Sequence, residues 1–169
     1  MVIKCQTGLA EFCDAAKWQF CSAGDSKYSF GEALGDLTGI GAIFNLGGNV
    51  AVKHRNQRMI AWIRGIDSKQ SPDAERLIRN TIHYFETKNN SLQKSIVSKI
   101  AYVGSLTLAL VGAYYSSSTL RTVGFVGSLG LGAYFMGKAG FDGMDRSTEL
   151  RGEYLSLERM KLANQLGVR

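Results

Sequence analysis

Ile100-Ala-Tyr-Val-Gly-Ser-Leu-Thr-Leu-Ala-Leu-Val-Gly-Ala-Tyr-Tyr-Ser-Ser-Ser-Thr-Leu120 runs without one charged side chain. As an α-helix this stretch is roughly 31 Å long, close to the thickness of a bilayer's hydrocarbon core. Arg121 follows, and residues 122–137 are again uncharged, roughly 24 Å as a helix. The connection Ser116-Ser-Ser-Thr-Leu-Arg121 between them is short and polar, so the two helices should fold back as an antiparallel hairpin. Charges flank each end, as they flank membrane spans. The sequence therefore predicts a mostly α fold. It reads as a helical membrane protein with a glycine-rich transmembrane hairpin and amphipathic flanking helices. The competing reading is a soluble hairpin of buried core helices, and the mean hydropathy of −0.05 is low for a polytopic membrane protein.

Upstream, Leu37 to Val52 is a third uncharged run. It contains Asn45 and Asn49, which makes it a poorer span and only a candidate third one.

Small residues recur at helical spacing in these runs. Ser105, Ala109, Ala113 and Ser117 are four apart, as are Gly124, Ser128 and Gly132, and Gly31, Gly35 and Gly39. Such spacing lines one helix face with small side chains and lets backbones approach closely. The expected packing residues are Ser105, Ala109 and Ala113 against Gly124, Ser128 and Gly132. Residues 122–140 hold six glycines, each costing about 0.5–1 kcal/mol relative to alanine in a water-exposed helix. A tightly packed bundle or lipid would offset that cost. The two arms also echo each other: Tyr102-Val-Gly-Ser-Leu106 with Phe125-Val-Gly-Ser-Leu129, and Val111-Gly-Ala-Tyr-Tyr115 with Leu131-Gly-Ala-Tyr-Phe135. Tyr114, Tyr115 and Tyr134 fit the aromatic belts that anchor helix ends at an interface.

The chain has 169 residues and a formal net charge of +6. Residues 1–36 carry a net −2 and residues 53–99 a net +6, so the excess belongs to one middle segment. A basic segment serves nucleic acid, an anionic lipid surface or plain solvation. Trp62, Tyr84 and Phe85 lie among the bases but form no nucleic-acid-binding signature, which argues against nucleic acid. Anionic lipid bound through residues 53–99 is the partner expected for the charge. Cytoplasmic loops carry excess Lys and Arg. The chain is thus expected to be integral to a membrane, with the basic middle and the C-terminus on the cytoplasmic side.

The polar parts read as amphipathic helices. Ser71 suits an N-cap, Pro72 the first helical position, and Asp73 and Glu75 the first turn. Leu77, Ile78, Ile82 and Phe85 form an apolar stripe over 71–98 that Thr87-Lys-Asn-Asn90 should interrupt, with Ser91 capping a new helix. Between Thr148 and Leu166, Leu150, Tyr154, Leu157 and Met160 share one side, where core burial is the ordinary expectation. Leu9, Phe12, Cys13, Ala16 and Phe20 suggest a short N-terminal amphipathic helix rather than a cleavable signal.

Catalytic patterns are missing. Cys5, Cys13 and Cys21 lie eight apart and make no Cys-x-x-Cys, and His54 and His83 have no zinc spacing. Asp142, Asp145 and Glu149 lack the alternating oxygen ligands of a calcium loop. No catalytic, metal or cofactor residues are expected.

The expected organisation is an N-terminal amphipathic segment (1–30), a glycine-rich apolar segment (31–52), a basic helical region (53–98), the hydrophobic hairpin (99–138) and a C-terminal amphipathic helix (139–169). The expected function is non-enzymatic: a small structural subunit of a secretion, transport or virion membrane complex, working as a homo- or hetero-oligomer with other membrane-complex subunits. A membrane-active oligomeric pore former and a soluble helical adaptor are the alternatives.

Overall fold

Ser29 starts the first helix by local chemistry. Its hydroxyl accepts from the Glu32 N–H at 3.1 Å, and the Glu32 carboxylate accepts from the Ser29 N–H at 2.7 Å. This reciprocal box satisfies two amides that a helix start otherwise leaves unpaired. The structure, a computed structural model, describes residues 12–13, 28–66, 71–144 and 147–165. Five long elements follow in order: α1 (Phe30–Leu37), α2 (Ile40–Arg64), α3 (Pro72–Tyr114), α4 (Ser118–Met144) and α5 (Ser147–Gln165). Phe12 and Cys13 are also helical and buried. Cys5, Cys21, Asp145 and most of segment 1–30 lie outside the described residues.

Thr38 and Gly39 part α1 from α2. The Thr38 hydroxyl donates to the Gly35 carbonyl at 2.7 Å and accepts from the Gly41 amide at 3.0 Å. Gly39 takes φ +73°, a left-handed conformation that other side chains resist.

Pro72 opens α3, with Asp73 and Glu75 in its first turn. The helix then runs 43 residues without a break. The expected interruption at Thr87–Asn90 does not occur, because Thr87 and Asn89 find partners without breaking the helix. The Thr87 hydroxyl donates to the His83 carbonyl at 2.8 Å. The buried Asn89 amide oxygen accepts from Asn56 at 3.2 Å.

Ser116 and Ser117 end α3 in a Schellman turn. The Ser117 amide donates back to the Gly112 carbonyl at 2.8 Å and the Ser116 amide to the Ala113 carbonyl at 3.3 Å. Ser116 sits at φ 55°, where glycine is the usual occupant. Ser116→Gly should therefore stabilise the chain by about 0.5–1 kcal/mol, relief of left-handed strain outweighing the added freedom of the unfolded chain. An unchanged or lower midpoint in chemical denaturation would contradict this account of the turn.

The contacts divide the chain into two units. One comprises residues 1–25, 54–90 and 146–169. Its core gathers Phe12, Ile63, Leu77, Phe85, Leu155 and Leu162. On α5 the buried positions are Leu155, Arg159 and Leu162, whereas Leu150, Tyr154, Leu157 and Met160 are exposed. The stripe expected to pack is thus the outer one. The other unit comprises residues 26–53 and 91–145. Here α1 packs against α4, and Ala33, Ala42, Tyr102, Phe135 and Ala139 form the core.

The membrane reading needs correction at this point. A transmembrane hairpin requires two spans, and among the described helices only α3 carries a stretch long and apolar enough for one. The second arm, α4, includes Arg121, Lys138 and Asp142 and does not qualify, nor does α2. The charge at the foot of the apolar run, Lys99, is drawn into an intramolecular ion pair with Asp36, both side chains almost fully buried. The described elements are all α-helices, and the second unit packs around the Asp36–Lys99 ion pair. The integral-membrane localisation, the cytoplasmic placement of the basic middle, and the role as a membrane, transport or secretion subunit go with the hairpin reading. Length and low charge did not discriminate, because bundle helices share both properties with spans.

Candidate functional site

Asp36, in the last turn of α1, is the polar centre of the second unit. Its carboxylate is fully buried. Oδ2 accepts from the Lys99 ammonium at 2.7 Å and from the Tyr28 hydroxyl at 2.6 Å. Oδ1 accepts from the Asn45 amide at 2.7 Å. Burying two opposite charges costs several kcal/mol per ion unless the remaining hydrogen-bonding positions are filled. Here three donors from three stretches of chain fill three of the carboxylate's roughly four acceptor positions. The Lys99 ammonium also lies 5.2 Å from the Tyr28 ring centre, and that of Lys138 lies 5.3 Å from the same ring. Burial, aided by the hydrogen bond to Asp36, pushes the Tyr28 phenol well up from its ordinary range. Burial, with Lys99 nearby, pulls the Lys138 ammonium down, opposed by Asp142.

Around this centre the ties are short. The Tyr102 hydroxyl donates to the Leu37 carbonyl at 2.9 Å. Its ring meets Phe135 edge-on, with centroids 5.3 Å apart. Asn49 donates to the Ser95 hydroxyl at 3.1 Å, and Lys53 to Gln93. With both Asp36 oxygens occupied, the cluster acts as a clamp that fixes α1, α2 and α3 in register.

The helix-packing residues fall as follows. Gly124 lies against Ser105 and Ala109: a β-carbon there would stand 2.3 Å from the Ala109 nitrogen and 2.6 Å from the Ser105 oxygen. Gly112 makes the same kind of approach to Arg121, at 2.3 Å from its nitrogen. Gly132 meets the Leu37 side chain of α1. Ser128 is half-buried, and its hydroxyl donates to the Phe125 carbonyl at 2.8 Å. Ala113 is exposed. Tyr114 and Tyr115 stack edge-on at 5.0 Å and are exposed, as is Tyr134.

Elsewhere, bases of the 53–99 segment pair locally: Arg64 with Glu86 at 2.6 Å and Arg79 with Glu75 at 2.6 Å. These pairs are exposed and contribute little to stability. In the first unit a cavity of about 160 Å³ is lined by Asp73, Arg76, Lys161 and Glu158, where Arg76 and Glu158 pair at 3.4 Å. Cys13 is buried, and desolvation raises its thiol above the ordinary range, away from nucleophilic thiolate. Among the described residues no group of His, Cys, Asp or Glu is placed to hold a metal ion.

Asp36, Lys99 and Tyr28 belong to no sequence motif, and Asn45 counted in the sequence only against a span. A signal was present: Asp36 and Lys99 each stand immediately before an apolar run, with opposite signs.

The second unit exposes several large apolar side chains. Phe30, Ile40 and Phe44 of α1 and α2 are 59%, 67% and 77% exposed. Only 17% of the apolar stretch of α3 is buried. Comparison with protein families, with characterised proteins and with solved structures finds no match for this chain.

Proposed function

We propose that the chain is a helical adaptor, a non-enzymatic module that recognises another protein through apolar helix faces. One observation carries this reading: the second unit buries the Asp36–Lys99 ion pair and leaves large apolar side chains outward. Asp36 and Lys99 are buried while Phe44 is 77% exposed. Isolated exposed apolar residues are ordinary, but clustered ones mark binding surfaces. Phe30 and Leu34 are four apart on α1, and Ile40 and Phe44 four apart on α2. Each pair therefore presents neighbouring side chains, the spacing by which an amphipathic partner helix is gripped. The clamp supports this by holding α1 and α2 before the partner arrives, which lowers the ordering cost of binding.

A photo-crosslinking residue placed at Phe44, in cells that express the chain, tests the reading. A discrete adduct with a second protein is expected. The same probe at exposed Arg79 of the first unit should give none. Absence of any Phe44 adduct, or retention of the chain in membranes after alkaline carbonate extraction, would overturn it.

A further inference from the structure

We infer that the outer stripe of α5 binds the same stripe of a second copy of this chain, the two helices running antiparallel about Leu157. The inference goes beyond the adaptor reading and uses a helix of the other unit. Leu155, Arg159 and Leu162 are the buried positions of α5. On the side away from them stand Leu150, Tyr154, Leu157 and Met160, 61%, 54%, 56% and 49% exposed. Glu153, Lys161 and Asn164 share that side and are also exposed. At about 100° per residue, all seven positions fall within about 120° of the helix circumference. They belong to one helix and make one face.

Charge complementarity selects the occupant. The face is balanced about Leu157: Tyr154 and Met160 lie three residues to either side, Glu153 and Lys161 four, Leu150 and Asn164 seven. A two-fold axis at Leu157 therefore sets Leu157 against its own counterpart. It brings Tyr154 level with Met160 of the other copy, and Glu153 level with Lys161 of the other copy, each contact occurring twice. This is the self-complementarity that a two-fold interface requires. Within one chain the acid and the base stand about 12 Å apart along the helix, too far to pair. Among the described residues neither has an ion-pair partner in its own chain.

Other arrangements fit less well. A parallel pairing in register would set Glu153 against Glu153 and Lys161 against Lys161, and like charges across an interface are penalised. A uniformly acidic or basic partner meets one like charge on this face. Antiparallel pairing also brings the N-terminal end of each helix beside the C-terminal end of the other, the favourable sense for the helix dipoles. Four apolar side chains on one helix bury less than the ~800 Å² per partner of a standard interface. The dimer is therefore a weak one, with a dissociation constant in the micromolar range or above.

The test is sedimentation velocity on the purified full chain in detergent-free buffer over a wide concentration range. A species of twice 18.4 kDa is expected at the upper end. Leu157→Glu puts two like charges on the axis and should raise the dissociation constant by about tenfold or more. Lys161→Glu should raise it about threefold to tenfold, since each exposed pair is individually weak and two are reversed at once. Adding Glu153→Lys to Lys161→Glu swaps the charges and should restore the parent value. Circular dichroism should stay unchanged in all three, because these positions are exposed. Leu157→Cys, with Cys5, Cys13 and Cys21 replaced by Ala, should form a disulfide with itself under mild oxidation, whereas Cys at exposed Arg151 should not. A chain that stays monomeric at every concentration overturns the inference. So does a dimer indifferent to Leu157→Glu, one that the charge swap fails to restore, or one without the Leu157→Cys disulfide. A monomer that floats with phosphatidylcholine vesicles overturns it as well and gives the stripe to lipid. Loss of the dimer with the Phe44 adduct kept retires this inference alone, and a dimer without that adduct retires the adaptor alone.

Discussion

Lys99→Met is expected to destabilise the chain by about 3–5 kcal/mol, the cost of leaving a buried charge without its partner. Asp36 is fully buried, so water cannot replace the lost ammonium. The Tyr28 and Asn45 donors would remain on the carboxylate, but neither carries a charge. The second arm of the experiment is Lys99→Met combined with Asp36→Asn. An amide at position 36 removes the orphaned charge and still offers one oxygen to Tyr28 or Asn45. The double variant should therefore lose less than Lys99→Met alone, a strong non-additivity between neighbours. Urea denaturation followed by circular dichroism measures both. A loss below about 1 kcal/mol for Lys99→Met, within the range of an exposed pair, would mean that the clamp does not hold the second unit together.

The clamp also shows where the sequence could be read and where it could not. The start of α3 is legible because Pro72, Asp73 and Glu75 act locally, in the turn they occupy. The hairpin break is legible for the same reason, since serines stop an apolar run within a few residues. Ser29-Phe-Gly-Glu32 carries a capping box of the same local kind, masked by the glycines around it. The Asp36–Lys99 pair is different in kind. It joins residues 63 positions apart, and no local periodicity relates them. An apolar run with a charge at its foot looks the same whether that charge faces headgroups or a carboxylate in a core. The transmembrane expectation failed on this ambiguity. The C-terminal helix misled in another way. Two stripes run along α5 at helical spacing, Leu150–Tyr154–Leu157 and Leu155–Arg159–Leu162. The second is the buried one, but Arg159 disguises it as polar. The inner face of the hairpin differs again, because glycine there acts through backbone approach alone, without reference to what lies beyond the two helices.

That inner face yields the second large effect. Gly124→Val should destabilise the chain by about 1–3 kcal/mol, the range for overpacking a close contact. An added β-carbon would stand 2.3 Å from the Ala109 nitrogen, 2.6 Å from the Ser105 oxygen and 2.8 Å from the Ala109 α-carbon. All three are backbone atoms, so relief requires α3 and α4 to separate rather than a side chain to turn. Two other glycines of α4 calibrate the result. Gly132 meets only the tip of the Leu37 side chain, at 2.9 Å. Leucine can rotate away, so Gly132→Ala should cost clearly less. Gly137 has nothing within 4 Å. Gly137→Ala should stabilise by about 0.5–1 kcal/mol through helix propensity alone. The three variants share one helix, so propensity favours the new residue over glycine in all of them and only the opposing contact differs. An order of stability Gly137→Ala, then Gly132→Ala, then Gly124→Val, measured by thermal and urea unfolding, is the expected outcome. If Gly124→Val melts with the parent chain, the hairpin closes through side chains and the backbone contact at Ala109 is wrong.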